Sequence, residues 1–209
     1  MAGNPSIHTI STTDFFYPLV EDPYMQGRIA CANTLSDVYA MGIGRVDFML
    51  MILGVSREMS EEARHIVTRE MMRGFDETAK EAGTLVTGGQ SVMNPWPIIG
   101  GVATVTCNER DYIKATSGQV GDKLILTKPL GTQVAVNLNQ WMEKMNENAH
   151  KSLELIGQET AKDAYYLAMQ SMATLNRNAA ELMFKYKAHG ATDVTGFGIE
   201  GHTANLAAV

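Results

Sequence analysis

Three aspartates stand in short segments whose composition suits cation-assisted phosphate chemistry. They are Asp14 in Ser11-Thr12-Thr13-Asp14-Phe15-Phe16, Asp37 in Asn33-Thr34-Leu35-Ser36-Asp37-Val38-Tyr39-Ala40-Met41-Gly42, and Asp193 in Ala191-Thr192-Asp193-Val194-Thr195-Gly196-Phe197-Gly198. Mg2+ takes hard oxygen ligands and is usually held by a few carboxylates together with water and substrate phosphates. Scattered single aspartates fit that chemistry better than a thiolate or imidazole cage would. No two of the three are neighbours in sequence, so the fold must gather them.

The first half alternates strand and helix patterns that could do so. Residues Ile7 to Asp14 are rich in β-branched types and predict a strand delivering Asp14 at its end, where carboxylates are placed for chemistry; a turn or cap role is the even alternative. Asp22 as N-cap and Pro23 at the first helical position open a helix expected to reach about Met41 and stop at Gly42. On it Asn33 and Asp37 are four apart and share a face. Asp37 lies beside Val38, Ala40 and Met41, where an acid is costly to bury unless paired or metal-bound, with an exposed helix face as the alternative. Phe48 to Val55 predicts a buried strand, and Ser60 caps a helix with Glu61 and Glu62 in its first turn and Gly83 at its stop. Thr84 to Thr87 predicts a strand running into Gly88-Gly89-Gln90-Ser91, and Trp96 to Cys107 a further one.

A boundary falls in the polar stretch 108–122, which carries Gly118 and Gly121, and divides the chain into 1–115 and 116–209. Beyond it Lys123 to Thr127 predicts a strand, Lys128-Pro129-Leu130-Gly131 a turn, and helices follow over Thr132 to about Met145, Gln158 to Ala173, Asn176 to Tyr186 and from about Ile199. One strand cannot cover four helices, so the second half is expected to be incomplete.

Two loops could meet an anion. Gly88-Gly89 leaves backbone N–H groups accessible with the Ser91 hydroxyl nearby, although hairpins and bulges use glycine pairs more often. Thr192 to Gly198 is more specific, because its glycines permit tight turns just before a helix N-terminus. The G-K-[ST] of a Walker loop is missing. The five histidines show no metal-ligand spacing, and His202 reads as a packing or solvent residue. Lys128 could reach a phosphate but reads as a solvated turn lysine, and Arg28 is usable without being compelling. No serine, histidine and acid form a local nucleophile signature.

The bulk composition narrows the classes. The 209 residues, 45% hydrophobic and 19% charged, suffice for a core, and a net charge of -6 without a basic block argues against nucleic-acid binding. No apolar run approaches the roughly 20 residues of a membrane span, and a cytoplasmic location is the default expectation. Cys31 and Cys107 read as packed thiols, and the fourteen methionines as core filling.

Taken together, Ser11 to Phe16, Gly27-Arg28-Ile29-Ala30 through Asn33 to Gly42, Gly88 to Ser91, Leu126 to Gly131 and Thr192 to His202 resemble the selenophosphate synthetase (selenide, water dikinase) family, in order and spacing along essentially the whole chain. Tyr17 to Tyr24 is most similar to its eukaryotic branch. The resemblance implies an α+β fold of the aminoimidazole ribonucleotide synthetase type: an N-terminal domain forming a dimeric β-barrel, then a partial α/β C-terminal domain. It implies conversion of ATP, selenide and water into selenophosphate, AMP and phosphate. Asp14, Asp37 and Asp193 would ligate Mg2+, Asn33 would support the cluster, Thr12 and Thr13 would lie beside the nucleotide, and Gly88, Gly89, Gln90 and Ser91 would contact it across a homodimer. K+ is a further candidate cation. The family also carries, upstream of the first strand, a catalytic cysteine or selenocysteine, a lysine and another aspartate. No lysine, cysteine or aspartate precedes Asp14 here, so the resemblance sets these catalytic residues upstream of Met1. The expectation is therefore of a truncated chain that does not complete selenide-dependent catalysis alone. Alternatives are a non-catalytic nucleotide-binding regulatory paralogue, or another small-molecule kinase or ligase of the superfamily.

Overall fold

A computed structural model describes residues 6–208. Met1, ahead of which the catalytic residues are expected, lies outside the described residues. Four strands, β1 (Ile7–Phe16), β2 (Phe48–Ser56), β3 (Val86–Asn94) and β4 (Ile98–Asn108), form one sheet in the order β1-β4-β2-β3. β4 runs antiparallel to both β1 and β2, whereas β3 lies parallel to β2 at one edge. Helices α1 (Pro23–Ala40) and α2 (Glu61–Glu81) supply the core of one face: Leu35, Val38 and Tyr39 of α1 and Met71 and Phe75 of α2 bury with Met49, Leu53, Ile99 and Val105 of the sheet. In β1 the even-numbered residues are the more buried set, so Thr12, Asp14 and Phe16 share one side and Thr13 and Phe15 the other.

The ends of these helices follow local chemistry. The Asp22 carboxylate accepts the Tyr24 N–H at 2.8 Å and the Met25 N–H at 3.2 Å, with Pro23 opening α1. Ser60 accepts the Ala63 N–H, Glu61 and Glu62 occupy the first turn of α2, and Gly83 leaves that helix with φ +78°. Buried Gln26 accepts the Leu19 N–H at 2.8 Å and donates to the Tyr17 carbonyl at 3.3 Å, which ties the β1–α1 connection to the helix.

α1 and α2 cross backbone to backbone. A Cβ at Gly27 would lie 2.0 Å from the Met71 carbonyl oxygen, and one at Gly74 would lie 2.0 Å from that of Tyr24. No side chain fits at either position.

Five helices follow the sheet: α3 (Thr132–Lys144), α4 (Glu147–Ile156), α5 (Gln158–Ala173), α6 (Arg177–Lys185) and α7 (Gly198–Ala207). α5 seats on the start of α1 through Ala173, Tyr165, Met169 and Met172 against Val20 and Ile29, and Ala180 of α6 joins the main core. Helix α4 is absent from the sequence expectation; the left-handed Met145 breaks the pattern, and Asn146 then caps α4 by accepting the Ala149 N–H. Residues Lys123 to Thr127 form no strand, because no strand among the described residues lies beside them to complete a ladder, and Leu124, Ile125 and Leu126 remain exposed. β3 passes through Gly88 and Gly89 instead of ending there: a Cβ on Gly89 would meet the Met51 carbonyl oxygen at 1.9 Å, so the glycine permits close approach to β2. Lys128 is not a solvated turn residue. Its Nζ donates to the Ser171 carbonyl at 2.8 Å and to that of Thr174, at the end of α5, and burial pushes the ammonium pKa down to about 8.

Two outcomes test these packing statements. Gly27→Ala is expected to lower unfolding free energy by at least about 2 kcal/mol in urea titration, whereas Gly118→Ala, whose Cβ meets only ordinary contact, stays within about 0.5 kcal/mol. The depressed Lys128 value means that the native state holds fewer protons than the unfolded chain between about pH 8 and the ordinary value of 10.5, so the parent gains stability relative to Lys128→Met across that window; a pH-independent difference contradicts the buried ammonium.

Candidate functional site

Three elements carry the acidic residues, and Asp14 lies within electrostatic reach of the other two. β1 supplies Thr12 and Asp14 from its helix-facing side, α1 supplies Asn33, Ser36 and Asp37 from one stripe at i, i+3 and i+4, and the irregular segment before α7 supplies Asp193. The Thr12 hydroxyl donates to Asp37 at 2.5 Å, the Ser36 hydroxyl donates to Asp193 at 2.7 Å, and the Asn33 amide donates to Asp14. Each carboxylate is thereby held by one neutral side-chain donor.

The charges feel one another. Burial lifts the Asp14 pKa above the ordinary carboxylate value, and the negative charges of Asp37 and Asp193 push in the same direction, against the hydrogen bonds from Asn33 and the Phe15 N–H. Asp37 is exposed although Ser36 and Val38 on either side are buried, so its place on α1 is explained by its facing Thr12 and not by burial. Among the described residues no three Asp, Glu, His or Cys side chains close on a point as a complete metal cage does. A Mg2+ ion usually keeps several waters and would take only part of its coordination from protein carboxylates. Asp14, Asp37 and Asp193 are the residues that could hold such an ion, with Asn33, Ser36 and Thr12 orienting them.

Other expected residues lie elsewhere. The catalytic cysteine or selenocysteine and the lysine, expected upstream of Met1, fall outside the described residues. Thr13 pairs with Val102 on the opposite side of the sheet from Asp14. Gly88, Gly89, Gln90 and Ser91 lie exposed on β3 at the far edge, where Asp14, Gly101, Met51 and Gly89 form one row across the sheet. Three strand spacings separate the ends of that row, about 14 Å. A single chain therefore does not bring the glycine pair to the aspartates. Two contributors escaped the sequence reading. Ser36 was detectable from its spacing to Asn33 and Asp37; His202, buried on α7, accepts the Thr195 N–H through Nε2 at 3.1 Å, a contact that no local pattern signals.

Residues 3–107 match the model of the AIR synthase related protein N-terminal domain, and residues 119–209 that of the C-terminal domain. The chain is 61% identical over 198 residues to selenide, water dikinase 2 of Homo sapiens, covering 95% of this chain and 44% of that protein. It is 53% identical over 203 residues to selenide, water dikinase of Dictyostelium discoideum, covering 97% and 56%. The chain thus spans about half the length of the curated relatives it matches. Among solved structures, a thiamine-monophosphate kinase from Stenotrophomonas maltophilia superposes with TM-score 0.70 at 18% identity over 97% of this chain and 62% of that one. AaThiL complexed with AMPPCP and TMP does so with TM-score 0.68 at 16% identity over 93% and 58%. At such identities the likeness is one of fold. No helix among the described residues is long and apolar enough to cross a membrane.

The raised Asp14 value has a measurable consequence. The fold favours its protonated form, so its contribution to stability is complete below the ordinary pKa of 3.8 and is lost as pH rises through the raised native value. In metal-free buffer Asp14→Asn is therefore expected to melt above the parent at pH 7, with the difference vanishing near pH 3. A variant that melts lower at pH 7 contradicts this electrostatic picture.

Proposed function

The chain belongs to the family of AIR synthase related proteins, and within it we propose that it forms the cation- and nucleotide-binding core of a selenide, water dikinase. The observation that supports the reading is the electrostatic coupling of Asp14 to Asp37 and Asp193, which come from three separate elements, with a hydroxyl or amide bonded to each carboxylate. Support comes from the 61% and 53% identities to proteins of that name, which extend over nearly all of this chain.

Phosphoryl transfer asks a protein mainly for positioning and charge neutralisation. Mg2+, when bound here, would neutralise phosphate oxygens and fix their geometry. The chain's own part is to present three carboxylates, to orient them through Thr12, Asn33 and Ser36, and to favour a cation at Asp14, whose ionisation burial and then the charges of Asp37 and Asp193 oppose. ATP and selenide are the substrates of this reading, Mg2+ its cation with K+ as a second candidate, and the cytoplasm its setting. Residues 1–115 would carry most of the nucleotide and dimer functions, and 116–209 would bring Asp193.

The same reading makes the protein a homodimer. The outward face of the sheet carries half-buried Leu50, Ile52, Ile98 and Val102 and exposed Phe15 and Val92. An apolar sheet face of this kind calls for a cover, which a second copy laid on it would supply.

Calorimetric titration with Mn2+ and a non-hydrolysable ATP analogue tests the centre. Ser36→Ala is expected to weaken cation binding by roughly tenfold to a hundredfold and Asp193→Asn by more, with unchanged affinity in Asp193→Asn contradicting the assignment. Selenide-dependent AMP formation from ATP by the protein that carries this chain supports the activity; ADP formation, or AMP formation indifferent to selenide, contradicts it.

A further inference from the structure

We propose that His202 is a positioning residue for Asp193, acting as a neutral imidazole whose unprotonated Nε2 fixes the turn that presents the carboxylate. The inference rests on reading Asp193 as a cation ligand, and it explains how an aspartate outside any regular element is held in place.

Residues 190–195 form neither helix nor strand, so no ladder or helical turn fixes the Asp193 backbone. Its side chain is held from one side by the Ser36 hydroxyl at 2.7 Å. On the other side the turn is closed by a small platform on α7. The Thr195 N–H donates to His202 Nε2 at 3.1 Å, the Thr195 hydroxyl lies 3.3 Å from the same nitrogen, and the Gly198 N–H donates to the Thr195 carbonyl at 3.0 Å. The Phe197 ring rests against the imidazole with centroids 5.4 Å apart. A Cβ at Gly201 would meet the Phe197 Cβ at 2.8 Å, so the glycine beside His202 lets this aromatic settle.

An imidazole nitrogen that accepts a backbone N–H carries no proton of its own, so the ring proton of the neutral form resides on Nδ1. With Nε2 unprotonated, the 3.3 Å contact to the Thr195 hydroxyl is a hydrogen bond only with that hydroxyl as donor, sharing the single ring lone pair with the Thr195 N–H. His202 is only 8% exposed, and its fixed ring converts the position of α7 into the path of the backbone two residues after Asp193. Residues that orient a ligand in this way commonly matter to a metal centre nearly as much as the ligands do.

The test combines three readouts on the 209-residue chain. Imidazole 15N spectra are expected to show Nδ1 protonated and Nε2 bare. Amide hydrogen exchange at Thr195 is expected to accelerate about tenfold or more in His202→Phe, and to stay within about threefold of the parent in His202→Gln, whose amide oxygen can take the same N–H. Mn2+ affinity should fall about tenfold in His202→Phe and return in His202→Gln. If His202→Phe does not fold, His202→Asn, too short to reach Thr195, takes its place. A protonated Nε2, an unchanged Thr195 exchange rate, or Mn2+ affinity unaltered in the Phe variant overturns the proposal. If the parent binds no Mn2+ while Thr195 still loses protection only without the acceptor, the cation reading of Asp193 fails and the role of His202 in shaping the turn stands.

Discussion

The contact on which the rest depends is the crossing of α1 over α2 through Gly27 and Gly74, where carbonyl oxygens occupy the space that a methyl group would take. Because no side chain separates the two helices there, α1 can pack against α2, the sheet and α5 at once. That placement turns its remaining polar stripe, Asn33, Ser36 and Asp37, toward the end of β1 and toward the segment preceding α7. The Asp22 cap and the two hydrogen bonds of Gln26 fix the same helix along its axis, so the stripe cannot slide away from Asp14. A site assembled from three distant pieces of chain needs a rigid central element, and α1 is that element.

Charge sets the second constraint. Burial of Asp14 opposes ionisation of its carboxyl when no cation is present, and the charges of Asp37 and Asp193 add to the same upward pull. The neutral donors Thr12, Asn33 and Ser36 reduce this cost without cancelling it, since a hydroxyl or amide brings no positive charge. Arg28, the basic residue of α1, pairs with Glu81 at 2.8 Å on α2 and gives no compensation.

Much of this was legible in the sequence, because local chemistry determined it. The Asp22-Pro23 start, the Ser60 cap and the Gly83 stop depend on neighbours within a few positions, and the four-residue spacing of Asn33 and Asp37 sufficed to place them on one face. The failures share a cause as well. Lys123 to Thr127 has a strand's residue types but no neighbour to pair with, Lys128 finds the carbonyls of Ser171 and Thr174 more than forty positions away, and His202 acts on a turn that exists only once α7 has formed. The family resemblance set Gly88 to Ser91 at the nucleotide across a homodimer, and within one chain the strand order puts them at the far edge from Asp14, with Thr13 on the other face of the sheet.

Anomalous diffraction from crystals grown with Mn2+ and a non-hydrolysable ATP analogue would decide most directly whether the three aspartates form a cation centre. The expected result is manganese density bounded by the carboxylates of Asp14, Asp37 and Asp193, with phosphate oxygens completing the coordination. Nucleotide-bound manganese located away from all three carboxylates would contradict it.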